Sequence, residues 1–280
     1  MLKLMYITNN PEVAKIAEES GVDWIFVDME FIGKDARQKG LDTVKNHHTI
    51  EDIRRVRSVL TKSSLLVRVN PIHNNVEGYI DSKKEIDAAI EAGADIIMLP
   101  YFRSVKDVKE FITHVDGRVQ TCLLLETPEA VLMIDEILDV PGIDMIHIGL
   151  NDLHLALDMK FMFQLLANGI IDMVANKIKS KGIPFGFGGI ATLRGGSLPG
   201  YFVLKEHFRI GSSMVILGRS FCNTNVITNV DEIRQIFESG IAEIRQLEKD
   251  IQNTDTDYNE NQKKVVELVR KIVQEKNNIS

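Results

Sequence analysis

Two short apolar runs each end abruptly in an acid. Thr121-Cys-Leu-Leu-Leu-Glu-Thr-Pro-Glu129 delivers Glu126, and Ile146-His-Ile-Gly-Leu-Asn-Asp-Leu153 delivers Asp152. An apolar strand presenting one carboxylate at its carboxyl end, repeated in close succession, is a way to build an oxygen-ligand site for a divalent cation. The same acids could cap the helices that follow, because Thr127-Pro128 and Asn151-Asp152 are good helix starts. Spacing alone leaves metal and cap open. Other polar groups occupy comparable places: Asp28 and Glu30 end a run that starts at Val22, and Arg68 is set between two valines. Arginine is an always-charged fork suited to carboxylate or enolate oxygens. A buried arginine among acids is also what a structural ion-pair network looks like, so both readings stand. Oxygen ligands without paired cysteines or an HExxH signature point to Mg²⁺ or Mn²⁺ rather than zinc.

Such groups need strands to carry them. Apolar runs of about six residues alternate with longer amphipathic stretches along the chain. The strand runs are Leu2 to Ile7, Val22 to Asp28, Leu65 to Asn70, Ala94 to Pro100, Val119 to Glu126, Ile143 to Gly149, Ile183 to Gly188 and Ile210 to Gly218. Helices are expected from Pro11, Thr49, Lys83, Ser104 and Ala130, then over Phe161 to Lys181, Pro199 to Phe208 and Asp231 to about Ile251. Continuous apolar strands, each followed by a helix, predict a single (β/α)8 TIM barrel over residues 1–250. A doubly wound open sheet fits less well, since the first turn, Thr8-Asn-Asn-Pro11, lacks a glycine-rich phosphate loop. Met29 to His48 shows no apolar periodicity, and a loop that long after a strand carrying Asp28 and Glu30 reads as functional. The C-terminal helical extension, 251–280, carries a narrow stripe at Val265, Leu268, Val269 and Ile272. A solvated helix or an arm on a neighbouring subunit would both fit.

With 280 residues and a net charge of -7, the chain suits one large soluble domain. No basic tract suggests nucleic acid, and no apolar run approaches a membrane span. Two cysteines are too few for a disulfide framework, so a cytoplasmic setting is expected.

Val22-Asp-Trp-Ile-Phe-Val-Asp-Met-Glu30, Val67-Arg-Val69, Ile97-Met-Leu-Pro100, Leu124-Leu-Glu-Thr-Pro-Glu129 and His147-Ile-Gly-Leu-Asn-Asp-Leu153 occur in the order found in the HpcH/HpaI aldolase and citrate lyase family. The chain resembles that family over roughly residues 20 to 220. The resemblance implies a homo-oligomeric, metal-dependent aldolase working through the enolate of a 2-keto acid such as pyruvate. By position, Glu126 and Asp152 would bind Mg²⁺ or Mn²⁺, Arg68 would steady the keto oxygen, and the backbone of Gly149, Leu150, Asn151 and Asp152 would receive the carboxylate. Two departures matter. The pyruvate aldolase branch has a histidine after the strand-two glutamate, where this chain has Phe31, and a glutamine where it has Leu124. His47, His48 or a water held by Glu30 are the candidates for the missing proton-transfer group. Gly188-Gly189 and Gly218-Arg-Ser220 also sit where barrels bind phosphate, which keeps a phosphate-binding isomerase or synthase open. A barrel without catalysis, serving an assembly role, is the third expectation.

Overall fold

Each apolar run forms a strand buried on both faces, and the stretches between them supply the covering helices. A computed structural model describes residues 1–34, 48–254 and 256–279. Its eight strands close into a parallel barrel in sequence order. They are β1 (Lys3–Ile7), β2 (Trp24–Asp28), β3 (Ser64–Arg68), β4 (Ile96–Leu99), β5 (Gln120–Leu125), β6 (Met145–Ile148), β7 (Phe185–Ile190) and β8 (Met214–Leu217). The first helices are α1 (Pro11–Ser20), α2 (Ile50–Arg57), α3 (Ser82–Glu91), α4 (Val105–Val115), α5 (Pro128–Leu132) and α6 (Ile134–Leu138). There follow α7 (Leu150–Ala156), α8 (Gln164–Ala167), α9 (Ile170–Ser180), α10 (Gly200–Ile210), α11 (Val230–Asn253) and α12 (Tyr258–Ile279).

Strand periodicity divides the core in two. Met5, Phe26, Leu66, Met98, Leu124 and Met214 point inward and fill the barrel. The alternate residues, Ile25, Val67, Ile97 and Leu123 among them, face the helices. The two-residue period therefore carries Asp28 and Arg68 inward, above Phe26 and Leu66. Parallel register sets Asp28 opposite Arg68 across β2 and β3.

The expected helix starts hold: Thr49 and Ser104 both form capping boxes, on α2 and α4. The helix expected from Phe161 to Lys181 is instead divided. Gly169, at φ 80, takes the left-handed conformation after α8 and starts α9 in a new direction. Ala130 to Leu138 is likewise two short helices meeting at Met133. His47, one of the proton-transfer candidates, lies outside the described residues.

The stripe on α12 is used within the chain. Val265 and Val269 are buried, and Leu268 and Ile272 pack on the same core as α12 lies along α8 and α10. Asn261 Nδ2 donates to Glu206 Oε1 at 2.7 Å and to the Phe202 carbonyl at 3.2 Å, pinning the start of α12 to α10. Lys276 donates to the Lys160 carbonyl at 3.1 Å and lies 5.2 Å from the Phe161 ring centre, fixing its far end. These internal contacts replace the solvated helix of the sequence reading and occupy the face expected to meet a neighbour. No described helix is long and apolar enough to cross a membrane.

Candidate active site

The polar ends of β2 and β3 form one network. Arg68 Nε donates to Asp28 Oδ1 and Nη2 to Asp28 Oδ2, each at 2.8 Å. This is a bidentate fork that fixes the guanidinium plane. Lys34 Nζ reaches Asp28 Oδ2 at 2.8 Å, and Glu30 Oε2 lies 3.4 Å from Arg68 Nε and 3.6 Å from Lys34 Nζ. Burial pushes the Asp28 carboxyl up, but Arg68 and then Lys34 outweigh it and hold it well below the usual carboxylate range. Burial also disfavours charge on Arg68; Asp28 and Glu30 more than restore it. The ion-pair network of the sequence reading is present, and its fork uses two of the five N–H groups of the guanidinium.

The loop after β2 is tied into the same network. Asn70 Oδ1 accepts the Phe31 and Ile32 N–H groups, both at 2.8 Å. His48 Nδ1 accepts the Asp28 backbone N–H at 2.9 Å, so in the neutral ring the proton sits on Nε2. Burial lowers the His48 pKa against the opposing pull of Asp28, which keeps the ring neutral near pH 7. Lys34 escapes a reading of periodicity because it lies in the long polar stretch; only its position six residues beyond Asp28 hints at the contact.

At β5 and β6 the carboxylates meet backbone. Capping does not explain them: Thr127 caps α5 by accepting from the Ala130 N–H, and α7 begins at Gly149 with no side-chain cap. Glu126 instead accepts the Tyr101 N–H at 3.1 Å. Tyr101 is held at φ 48, a strained conformation for a residue with a side chain. A Cβ on Gly149 would lie 2.7 Å from Glu126 Oε2 and 2.8 Å from its Cβ, so only glycine lets the carboxylate lie against the start of α7.

These groups converge. Arg68, Glu126, Gly149, Leu150, Asn151 and Asp152 line one cavity of about 180 Å³ at the carboxyl ends of the strands. His147, which carries no role in the sequence reading beyond its place in a motif, is also in its wall. His147 Nε2 donates to the Gly188 carbonyl at 3.0 Å, and burial lowers its pKa to about 4, so it is a neutral ring at pH 7. Two further cavities adjoin. One, of about 440 Å³, shares Arg68, Asn151 and Asp152 and is where His48, Lys34 and Asp28 lie. The other, of about 420 Å³, shares Met162 and Gly189 with the first and is walled largely by Phe161, Phe163, Leu198 and Val203, with Gly218, Arg219 and Ser220 on one side.

Whether Glu126 and Asp152 suit a metal can be judged from their chemistry. Both are carboxylates on the wall of one cavity, and the Gly149 contact shapes a space beside Glu126 that a side chain would fill. Among the described residues no cluster of three or more His, Cys, Asp or Glu side chains forms an all-protein cage. Two carboxylates with the rest of the shell left to water and substrate oxygen is the arrangement Mg²⁺ accepts. The residues fit a hard divalent ion.

The chain matches the HpcH/HpaI aldolase/citrate lyase family over residues 3–163. No curated protein matches the sequence. Among solved structures it is similar to an HpcH/HpaI aldolase/citrate lyase family protein from Burkholderia cenocepacia J2315, with TM-score 0.61 at 15% identity, over 83% of this chain and 94% of that one. An HpcH/HpaI aldolase from Desulfitobacterium hafniense DCB-2 superposes with TM-score 0.59 at 18% identity, over 84% and 93%. A citrate synthase variant, SbnG, gives TM-score 0.55 at 15% identity, over 87% and 93%. At such identities the structural likeness carries the fold alone.

Proposed function

The chain belongs to the HpcH/HpaI aldolase/citrate lyase family, and from that premise we propose that it is a divalent-metal-dependent carbon–carbon lyase acting through the enolate of a 2-keto acid such as pyruvate. The observation that carries the reading is the convergence of Arg68, Glu126 and Asp152 on one cavity at the carboxyl ends of the strands. Glu126 and Asp152 would hold Mg²⁺ or Mn²⁺, which supplies Lewis-acid polarisation of the keto oxygen when bound. Arg68, its plane fixed by Asp28, donates a remaining N–H to that oxygen as it gains charge. The first turn of α7, from Leu150 through Asn151 to Asp152, offers backbone N–H groups to the substrate carboxylate, while the Gly149 N–H already donates to the Leu125 carbonyl at 2.9 Å. In the condensation direction the keto acid loses a methyl proton and its carbon bonds to the aldehyde carbon. The aldehyde oxygen then takes a proton, and cleavage reverses these steps. Glu30, acting through water, is the acceptor for the first proton. His48, with its proton on Nε2, is a donor toward the aldehyde oxygen.

Exchange of pyruvate methyl protons in D₂O tests the reading without an aldehyde. Exchange that requires Mg²⁺ or Mn²⁺ and disappears in Arg68→Ala is expected; no exchange with any divalent metal overturns it. The glycines and Arg219–Ser220 around the 420 Å³ cavity support a second reading, a barrel for phosphorylated metabolites. Inhibition by inorganic phosphate, in the absence of pyruvate exchange, would favour that one.

A further inference from the structure

The first proton has to reach Glu30, which lies two residues beyond β2 and outside the walls of both cavities beside Arg68. Its carboxylate stands 3.4 Å from Arg68 Nε and 3.6 Å from Lys34 Nζ, contacts long enough to balance its charge without fixing its place. The backbone is held more closely. The Glu30 N–H donates to Asp28 Oδ1 at 3.2 Å, and the Met29 N–H to the Arg68 carbonyl at 2.9 Å. The next two N–H groups, of Phe31 and Ile32, converge on one atom, Asn70 Oδ1, at 2.8 Å each. Asn70, two residues beyond β3, is buried and lines none of the three cavities of the site. It acts on the site through that turn.

An asparagine amide has an accepting end and a donating end, and which one faces the turn is decided on its far side. There Asn70 Nδ2 donates to Glu85 Oε1 at 2.7 Å, and the Asn70 backbone N–H is shared between Glu85 Oε1 and Oε2 at 3.2 and 3.3 Å. Glu85 is buried in the first turn of α3. Burial pushes its carboxyl up, against bonds from Asn70 that favour the ionised form. In that form Glu85 only accepts. Flipping the Asn70 amide would set oxygen against a Glu85 oxygen and NH₂ against the two N–H groups, losing three hydrogen bonds at once. Building on the aldol reading above, we infer that Asn70 and Glu85 are positioning residues. Glu85 fixes the Asn70 amide, and Asn70 holds the turn that places Glu30 to receive the methyl proton.

The test follows exchange of pyruvate methyl protons in D₂O, using the full chain with Mg²⁺. Asn70→Asp keeps an acceptor for Phe31 and Ile32 but sets a second carboxylate against Glu85. Its exchange kcat should fall roughly 10²-fold, the loss that a small misplacement gives, with KM and Mg²⁺ affinity within about twofold of the parent. Asn70→Ala, which removes the acceptor without adding charge, should show the same split. Adding Glu85→Gln to Asn70→Asp returns a donor to the pair, now pointing the other way. That double variant should recover exchange to within about threefold of the parent, a rescue that general damage to the fold would not allow. A rise in KM or a loss of Mg²⁺ binding in place of the fall in kcat overturns the inference. So does a double variant that melts like the parent yet exchanges as slowly as Asn70→Asp. Absence of exchange in the parent removes the aldol reading and this inference together, whereas parent exchange that Asn70→Asp and Asn70→Ala leave intact removes the inference alone.

Discussion

The two sides of the barrel mouth hold their charges differently. On the β2–β3 side, Asp28, Arg68, Lys34 and Glu30 are joined side chain to side chain, with Asp28 fully buried. On the β5–β6 side, Glu126 meets the Tyr101 backbone N–H and the bare backbone of Gly149, and Asp152 stands in the first turn of α7. The first arrangement fixes charge and direction before anything binds, because moving one member strands another in a low-dielectric site. The second fixes position through backbone and keeps carboxylate oxygens on a cavity wall. On the proposed function, this difference gives orientation to one side and ligand capture to the other.

The largest expected effect lies on the capture side. Glu126→Gln with Asp152→Asn should abolish Mg²⁺ binding by calorimetry while the thermal transition stays near that of the parent. Undiminished affinity would break the division of roles. Asp28→Asn attacks the other side: it leaves Arg68 and Lys34 buried with half a partner, at a cost of about 3–5 kcal/mol in denaturant unfolding. Should Asp28→Asn instead remove metal binding at unchanged stability, the roles of the two sides are reversed.

Acid titration sharpens the comparison by pH window. Asp28 has a folded pKa below its unfolded one, so its contribution is complete above about pH 4 and is shed only below it. His147 and His207 are buried neutral rings with pKa lowered by burial to about 4 and about 3. The unfolded chain takes up protons on these rings below about pH 6.5 and the folded chain does not, so stability falls as pH drops from there toward 4. Taken singly, each ring accounts for on the order of 3 kcal/mol by pH 4. His207 stacks on Phe187 at 3.8 Å between ring centres, and His207→Phe keeps an aromatic ring there. Melts of that variant should show a shallower loss between pH 6.5 and 4.5 than the parent. An equal loss would place the acid sensitivity elsewhere.

Much of the capture side could be read from sequence. Glu126 and Asp152 are visible because each is a local event, an apolar strand ending in an acid, and the barrel is visible because such strands recur with helices between them. The orienting side is less legible. Asp28 and Arg68 stand forty residues apart, and their pairing depends on the β2–β3 register, which no local pattern encodes. Lys34 lies in a stretch without periodicity, and the tautomer of His48 follows from one backbone N–H. The division of the Phe161–Lys181 segment turned on Gly169, whose left-handed φ is permitted by sequence but not demanded by it.

A smaller effect is expected where the capture side depends on an absent side chain. Gly149→Ala places a methyl group against Glu126 Oε2 and Cβ and must displace the carboxylate. Metal affinity should fall roughly 10–100-fold, the range typical when a supporting contact to a ligand is lost. Unchanged affinity would show that Glu126 has room to move and that the close contact is incidental.

The smallest effect is assigned to His48, and it tests which group of the orienting side takes the methyl proton. In the neutral ring Nδ1 accepts from the Asp28 N–H, so Nε2 carries the proton and has no lone pair to offer as a base. His48→Asn places an amide oxygen where Nδ1 was, keeping an acceptor for Asp28 while removing Nε2–H. If His48 only donates a hydrogen bond toward the aldehyde oxygen, pyruvate exchange, which involves no aldehyde, should stay within about tenfold of the parent. Aldol turnover should drop more than exchange does. A group that abstracts the methyl proton would behave otherwise, with losses of roughly 10²–10⁴ in exchange itself. A loss of that size would require the ring to change tautomer during reaction, giving up its bond to the Asp28 N–H, and would move abstraction of the methyl proton from Glu30 to His48.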